Sequence, residues 1–469
     1  MSAIITEKFR QHNANQFVES FTEAAASTYY LFLGKATAFS STTTGGSDSS
    51  PPTPGDSPQE EFRAWDSMLG AKIITSSDIK YAVPRRNWAN GTVYDMYRHD
   101  YTSSNTSTSG SSNLYDSTFY FLTSDYRLYK VLDNNGGTAF SGSEPTSTST
   151  SPFESGGYVL KYMMTISTSD FAKYGTTDFF PVTSDSTVAA AAVDGAIESI
   201  SVTAGSGYTD GTYYSPIDGD GSNGIVKIVV ASGAIVKQGS AGTNMYAIGS
   251  GYTFANVDLT NVYSDTAVSS AANIGSGTAG AVQPIISPKG GHGKDAVHEL
   301  GAHFVMTNVK LEQNEGSDFT IANDFREVGI VKDPFNFGTT TVASSSTARQ
   351  SMKVTLNGAP TVAYEIDEKI TQSVTGAVGK VVEFDATNNI IYYHQEKYAN
   401  YGLAANGNVI AFSGTNVITG ATTNAVGTAS TYATPELQPD SGKVIYIENR
   451  RPISRASDQT EDIKIVVEF

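Results

Sequence analysis

Short runs of aromatic and β-branched residues, separated by stretches rich in Gly, Ser and Thr, recur along the chain. Examples are TYYLFLGKATAF at 28–39, FYFLTSDYRLYKVL at 119–132 and YVLKYMMTIS at 158–167. Such residues favour strands, whereas long helical proteins are rich in Glu, Lys, Leu and Ala. Only 16% of the residues are charged, while Tyr and Phe number 26 and 22. The sequence therefore predicts a folded, mainly β protein with a few helices.

Local patterns predict several individual elements. Partial helical spacing of Phe residues predicts one helix over residues 6–26. The Ser-, Thr- and Pro-rich segment 40–58 can bury little and is expected to be an exposed loop. Apolar and polar residues alternate in IKIVVEF at 463–469, which predicts a strand within a sheet.

Two hairpins are also predicted. Asn90-Gly91 lies in WANGTVY at 88–94, and this dipeptide is a strong signal for a tight hairpin turn. The second hairpin is predicted in KVVEFDATNNIIYYHQ at 380–395.

The length of 469 residues exceeds what one ordinary core holds, so more than one domain is expected. Between 188 and 285 the chain alternates short strands with Gly-rich turns, and GSGYT occurs there twice, starting at Gly205 and Gly249. We therefore predict two β-sandwich-like domains, in segments 1–187 and 286–469, with an inserted Gly-rich β module at 188–285.

Charge and cysteine content exclude several classes of function. The formal charge of −17 and pI of about 4.7 repel phosphate backbones, so nucleic-acid binding is not expected. Without cysteine there are no disulfides, thiolate zinc sites or Cys nucleophiles, which suits a reducing cytoplasm. No signal peptide and no run of 18 apolar residues is recognisable, so neither export by that route nor membrane insertion is expected.

The histidines invite a zinc interpretation that their spacing does not support. In HELGAH, His298 and His303 are five residues apart, whereas the metalloprotease helix needs its two His four apart. His292 lies in GGHGK, with no orienting carboxylate evident. We therefore expect these histidines to lie at the surface or to pack against other residues, and we expect no metal site.

Two groups of carboxylates match functional motifs only in part. Asp218 and Asp220 in DGDGSNG loosely resemble a calcium loop, but the closing bidentate Glu is replaced by Val229, so a tight turn is predicted. Glu365 and Asp367 in YEIDEK would share one face of a strand, the minimum that a glycosidase pair requires. Carboxylates on the wet face of a sheet are far commoner, and we predict no catalytic or cofactor-binding residue.

The segment AVPRRNW at 82–88 has the composition of an interaction anchor. Pro84 fixes φ and disfavours helix at the residue before it, so Arg85 and Arg86 should follow in extended chain. Planar guanidinium groups suit bidentate pairing with carboxylates, and Arg beside Trp88 is typical of interfaces. Arg85, Arg86 and Trp88 are therefore candidates for structural bracing or partner contact.

A second charged segment, IENRRPISRASDQTED, has basic and acidic residues facing each other across one expected loop. Such a cluster either knits the loop internally or meets a partner, and the sequence leaves both alternatives open. The candidates here are Glu448, Asn449, Arg450, Arg451, Arg455 and Asp458.

Four separated segments resemble one known family, in the family's order. They are AIITEKFRQHN with the following TYYLFLGKA, AVPRRNW at 82–88, GGYVLKYMMTI at 156–166 and SGKVIYIENRRPISRASDQTEDIKIVVEF at 441–469. The chain resembles the baseplate wedge subunit of T-even-type, contractile-tailed bacteriophages. The GSGYT module and the Thr-, Gly- and Ala-rich stretch before 441 depart from the compact members, so this chain looks like an enlarged version.

The resemblance implies a two-domain β-sandwich subunit with helices at its edges and without enzymatic activity or cofactor. It implies a homodimer that cross-links neighbouring wedge proteins and takes part in the rearrangement of the baseplate when the tail contracts. The expected location is the virion tail baseplate, after assembly in the host cytoplasm. Two alternatives remain: a receptor- or glycan-binding tail protein using the Tyr-rich module, and a tail-associated hydrolase using Glu365, Asp367 and His298.

Overall fold

The protein is described by a computed structural model, which covers residues 5–41, 44–397, 402–456 and 458–469. Within these ranges it is mainly β, as predicted, with few helices. The helices are α1 (Glu7–Glu19), α2 (Pro58–Ser67), α3 (Thr168–Tyr174), α4 (Ser186–Ala191) and α5 (Ala296–Glu299). None of them is long and apolar enough to span a membrane.

The strands, in chain order, are β1 (Tyr29–Gly34), β2 (Met68–Ile74), β3 (Ile79–Pro84), β4 (Tyr120–Leu122), β5 (Arg127–Asp133), β6 (Phe153–Ser155), β7 (Tyr158–Thr165), β8 (Phe179–Val182), β9 (Ile197–Thr203), β10 (Gly211–Pro216), β11 (Asp218–Gly219), β12 (Ser222–Ala231), β13 (Ala234–Ile235), β14 (Asn244–Ser250), β15 (Ala255–Asn256), β16 (Val262–Tyr263), β17 (Ala271–Ala272), β18 (Ala281–Ile286), β19 (Phe304–Glu312), β20 (Asp324–Lys332), β21 (Thr347–Arg349), β22 (Met352–Leu356), β23 (Lys369–Gln372), β24 (Val378–Asp385), β25 (Ile390–His394), β26 (Val417–Gly420), β27 (Val426–Ala433), β28 (Lys443–Ser454) and β29 (Thr460–Glu468).

The chain divides into two compact units, each assembled from segments that are distant in sequence. Unit 1 takes its described residues from Met1–Gln16, Lys80–Met306 and Val466–Phe469, and unit 2 from Phe17–Ile79 and Thr307–Ile465. The boundaries expected from sequence, at 187/188 and 285/286, both fall inside unit 1, and a division at these points stays a prediction.

The core of unit 1 is built on an aromatic-rich sheet with the strand order β4-β5-β7-β6. Phe121 lies at its centre, with ring centroids 4.8 Å from Tyr94, 5.9 Å from Tyr129 and 6.0 Å from Phe140. The apolar run 119–132 is divided into β4 and β5 by a turn in which Tyr126 has a φ of +60°. Interlocking rings of this kind stabilise a core beyond the apolar area that they bury.

The Gly-rich segment of unit 1 has its own hydrophobic cluster, and its two GSGYT motifs are structurally equivalent. The first glycines, Gly205 and Gly249, have φ values of +60° and +61°, which side-chain-bearing residues adopt only with strain. The tyrosines, Tyr208 and Tyr252, are buried, and each hydroxyl accepts a hydrogen bond of 3.1 Å from a glycine N–H of a neighbouring segment. The repeated motif therefore serves to pack this segment.

Unit 2 combines an open sheet with a closed barrel. The open sheet has the order β21-β2-β1-β20-β28, and the barrel closes as β22-β25-β24-β23-β26-β27. The hairpin predicted at 380–395 is confirmed as the antiparallel pair β24 and β25, in which Lys380 lies opposite His394. The predicted terminal strand is confirmed as β29, whose residues up to Ile465 belong to this unit. The barrel itself was not predicted.

The hairpin predicted around Asn90-Gly91 is wrong. Gly91 does occupy a turn, with a φ of +80°, but the residues beside it form no strands. Instead, Gly91 N–H donates to the Phe140 carbonyl, and Phe140 N–H donates to the Thr92 carbonyl, both at 2.9 Å. A distant segment thus takes the hydrogen bonds that a hairpin would have formed within itself.

The predicted end of the first helix and the predicted exposure of segment 40–58 are both corrected. The first helix ends at Glu19 and not near 26; the Ser20 hydroxyl donates to the Phe17 carbonyl at 2.6 Å, which competes with helix continuation. The segment 40–58 is not simply an exposed loop, because Asp48 forms an ion pair of 2.9 Å with the buried Arg326.

Candidate interaction sites

In unit 1, the guanidinium groups of Arg85 and Arg86 bind backbone carbonyls. Arg85 donates to the Thr176 carbonyl at 2.9 Å, and Arg86 donates to the Ser117 carbonyl at 2.6 Å. The Arg86 guanidinium also lies 4.4 Å from the ring centroid of Tyr120, a cation–π contact. Both side chains are half-buried in the segment that follows β3. Here they brace the chain after Pro84, and contact with a partner stays a prediction.

Trp88 ties the same segment to the aromatic core. Its backbone N–H donates to the Leu122 carbonyl at 2.8 Å, and its half-buried ring meets Phe140 edge-on at a centroid distance of 5.8 Å. Among the described residues, its buried indole N–H has no hydrogen-bond acceptor. The contribution of Trp88 within this unit is therefore mainly ring packing.

The variant Trp88→Ala is expected to lower the free energy of unfolding by about 2 kcal/mol, less than for a fully buried Trp because this ring is half-buried. Urea titration followed by circular dichroism measures the loss. The matched control is Val93→Ala, an exposed position nearby, for which a change within about 0.5 kcal/mol is expected. Equal stability of the wild type and Trp88→Ala would contradict the packing role.

In unit 2, the first part of the second charged segment is a strand and not the loop that we predicted. Residues 448–454 belong to β28, where Glu448 lies opposite Val328 of β20. Alternate residues of a strand share a face, and Arg450 accordingly pairs with Glu448, Nη2 to Oε1, at 3.0 Å. Asn449 points to the other face and donates to the Pro52 carbonyl at 2.9 Å.

Arg455 lies in the short connection between β28 and β29. Its guanidinium makes a bidentate pair with Glu461, at 3.2 Å from Nε to Oε1 and 3.1 Å from Nη2 to Oε2. It also donates to the Thr320 carbonyl at 2.7 Å and to the Gln313 carbonyl, and it lies over the Phe319 ring. This side chain is buried, and it makes these four hydrogen bonds to other residues of unit 2.

Arg451 and Asp458 differ from Arg455 in being exposed. Neither side chain forms a hydrogen bond or ion pair with any residue in the described ranges. Of the nine residues selected from sequence, these two are therefore the ones whose charges face solvent without a partner in that part of the chain.

The three histidines considered for zinc have separate environments. His292 is fully buried and accepts a 2.8 Å hydrogen bond from Lys130 Nζ; burial and this cation lower its pKa well below the ordinary value. His298 pairs with Asp295 at 2.7 Å on α5. The His303 ring N–H donates to the Gly301 carbonyl at 2.9 Å. In the described residues, no group of three or more His, Asp or Glu side chains is arranged to hold a metal ion.

The carboxylates that the sequence offered for a calcium site or a catalytic pair lie in other arrangements. Asp220 lies in the tight connection between β11 and β12, as predicted, and it accepts from the Thr253 N–H at 2.8 Å. Glu365 and Asp367 do not share a strand face, which corrects our expectation: they precede β23 in a turn, where Asp367 has a φ of +64°. The tail-hydrolase alternative thereby loses the geometry on which it rested.

Unit 1 also contains a buried ionic cluster that was not predicted from the sequence. Lys130 of β5 and Lys161 of β7 lie opposite each other in the sheet. Each pairs with a buried carboxylate from outside the sheet, Lys130 with Glu299 at 2.8 Å and Lys161 with Glu198 at 3.0 Å. The available signal was a single Lys in the middle of each apolar run, RLYKVL and YVLKYMMT.

Comparison with protein families gives one match, and a search of curated proteins finds none. The model of the family described as bacteriophage T4 Gp8 matches residues 3–151 and 379–469, which together make up just over half of the chain. The matched ranges include the opening, AVPRRNW and the carboxy-terminal segment, whereas GGYVLKYMMTI and the GSGYT module lie in the unmatched part. The chain therefore belongs to the Gp8 family, the baseplate wedge proteins of T-even-type phages.

Proposed function

We propose that this protein acts as a homodimer that cross-links neighbouring wedge proteins and moves with them when the tail contracts. Membership of the Gp8 family makes it a structural component of the phage tail baseplate, associated with other baseplate proteins. A homodimer presents each contact patch twice, which suits a joint between repeated parts. Assembly in the host cytoplasm, which we also propose, fits a chain without cysteine.

The outer edge of β28 is the observation that carries the proposal. β28 is the last strand in the order of the five-stranded sheet, and it is 12 residues long. An edge strand presents backbone N–H and C=O groups to a partner, and its charged side chains limit indiscriminate pairing. The exposed Arg450 and Arg451 lie on this strand, within the family-matched range. We propose that this edge contacts the second copy or an adjoining wedge protein.

The three-part division expected from sequence becomes part of this proposal. The segment 188–285 contains nearly all of a separate hydrophobic cluster and lies wholly outside the family match. We propose that it is an added module on a wedge subunit. The receptor- or glycan-binding alternative is less well supported, because the repeat tyrosines Tyr208 and Tyr252 are buried and cannot stack on a sugar.

The test is to replace Arg450 and Arg451 together with Ala and to measure assembly. Sedimentation gives the dimerisation constant, and binding to the other purified wedge proteins of the same phage gives partner affinity. We expect at least one association to weaken by about tenfold or more, because charges at an interface contribute to both affinity and orientation. Thermal stability should stay close to that of the wild type, because both side chains are exposed.

The matched control is Lys294→Ala, an exposed basic residue in the part of the chain that the family does not match. It should leave both associations unchanged. A monomeric wild type at assembly concentrations would remove the homodimer from the proposal. Unchanged affinities in the Arg450 and Arg451 variant would remove the role of the β28 edge.

A further inference from the structure

Unit 2 contains a cavity of about 330 Å³ that is lined by both polar and apolar surface. Its walls come from the chain after β1 and from α2, β20, β24 and β28, and they include Lys35, Glu327, Lys380 and Asn449. Pockets for small molecules begin at about this volume. Asn449 is shared with the second charged segment described above, and the other lining residues lie outside both charged segments.

Two lining residues, Glu327 and Asn449, belong to a row of residues across the open sheet. Gly34 of β1 lies opposite Glu327 of β20, which in turn lies opposite Asn449 of β28. Residues directly opposite in antiparallel strands share a sheet face, with neighbouring side chains. Glu327 and Asn449 are therefore adjacent on the face that meets the cavity.

Both side chains in this row have hydrogen-bond acceptors that are not used. Glu327 is only 7% exposed. Neither its Oε1 nor Asn449 Oδ1 has a donor among the described residues, although both atoms are buried. Buried carboxylates normally have hydrogen-bonding partners, so this pair forms a receptor for a donor group. Burial raises the pKa of Glu327 to about 7, as expected for a carboxylate without a direct partner.

The cavity also contains cations whose charge is not matched by a direct ion pair. Lys35 is 7% exposed, and its hydrogen bond to Thr37 Oγ1 is long, at 3.4 Å. Burial lowers its pKa. Neither Lys35 nor Lys380 forms an ion pair with a carboxylate in the described ranges. The lining thus contains one carboxylate, Glu327, and two ammonium groups, Lys35 and Lys380, that form no direct ion pair in the described ranges.

The other lining carboxylates already have partners. Glu60 pairs with Arg63 at 2.8 Å, and Asp66 pairs with Lys397 at 3.4 Å. Glu396 lies 3.1 Å from the His394 ring. A bound cation would meet repulsion from the two lysines, and a bound anion would meet repulsion from Glu327. A ligand that carries both charges can place its cation at Glu327 and its anion at the lysines, so that both interactions are attractive.

We propose that this cavity binds a free α-amino acid as a zwitterion, with its ammonium group at Glu327 and Asn449 and its carboxylate at Lys35. Gly34 leaves room for the Glu327 carboxylate, because a Cβ at this position would lie 3.1 Å from Glu327 Oε1. The inference uses only residues of unit 2 and does not depend on the role in the baseplate.

Isothermal titration of the full chain with each of the common L-amino acids, up to about 10 mM, tests the proposal. At least one amino acid should bind saturably. Its amide lacks the carboxylate charge, and its N-acetyl derivative lacks the ammonium charge, so both should bind at least about tenfold more weakly. Absence of saturable binding by every amino acid, or equal binding of an analogue, would overturn the proposal.

Two variants locate the site. Glu327→Gln removes the charge that holds the ammonium group and should weaken binding at least about tenfold. Gly34→Ala should weaken it by displacing the Glu327 carboxylate, which a Cβ at this position would approach to 3.1 Å. Glu312→Gln, at an exposed carboxylate outside the cavity, should bind as the wild type does. Because Glu327→Gln removes a buried charge, it should fold even if Gly34→Ala does not. Wild-type affinity in Glu327→Gln would show that the amino acid binds elsewhere and would refute this site.

Discussion

Replacing Arg455 with Ala should lower the free energy of unfolding by about 3–5 kcal/mol, the cost of leaving one member of a buried ion pair alone. The Arg455 and Glu461 side chains are 2% and 11% exposed. Removing the guanidinium leaves the Glu461 carboxylate without its bidentate partner, and the Thr320 and Gln313 carbonyls lose their donor. Equilibrium unfolding in urea, followed by circular dichroism, measures the loss.

Arg450 provides the matched control for this experiment. It also pairs with a glutamate, Glu448, at 3.0 Å, but the two side chains are 46% and 36% exposed. Exposed pairs contribute about 0–1 kcal/mol, so Arg450→Ala should change stability little. A double variant, Arg455→Met with Glu461→Leu, should recover most of the loss, because no charge is then left buried. Equal losses in Arg455→Ala and Arg450→Ala would contradict the bracing role of Arg455.

Elements that depend on neighbours in sequence were predictable here. The β24 and β25 hairpin and the terminal strand β29 follow from local alternation and turn residues. The hairpin at Asn90-Gly91 failed because Phe140, some fifty residues further on, supplies the hydrogen bonds. The closed barrel could not be predicted either, because β22 closes it against β27 across a long stretch of chain.

The candidate site residues show the same limit. The sequence identified Arg85 and Arg86 as groups that need acceptors, but it could not show that backbone carbonyls of remote loops supply them. It placed Glu448 and Arg450 in a loop, because the charged residues around them hid the pairing of β28 with β20. Gly34, Glu327 and Asn449 come together only when three strands are brought into register, so no motif in the sequence indicates the cavity.

Replacing Lys130 with Met should also cost about 3–5 kcal/mol of unfolding free energy, although Met fills most of the space of the Lys stem. Lys130 Nζ lies 2.8 Å from Glu299 Oε2, and the two side chains are 0% and 3% exposed. Without the ammonium group, Glu299 keeps the Gly293 N–H as a donor, but its charge is left buried. The contact of Nζ with the Tyr97 ring, at 4.0 Å, is lost as well. Urea unfolding of unit 1, followed by near-ultraviolet circular dichroism of its aromatic core, measures the effect.

The exposed pair of Lys310 and Glu312 is the control for the buried pair of Lys130 and Glu299. Their charged atoms lie 2.7 Å apart, nearly the same as for Lys130 and Glu299, but their side chains are 58% and 62% exposed. Water solvates Glu312 when its partner is removed, so Lys310→Met should change stability by no more than about 1 kcal/mol. The double variant Lys130→Met with Glu299→Leu should be more stable than Lys130→Met alone, because it leaves no buried charge. Similar losses for Lys130→Met and Lys310→Met would mean that burial does not set the cost of breaking this pair.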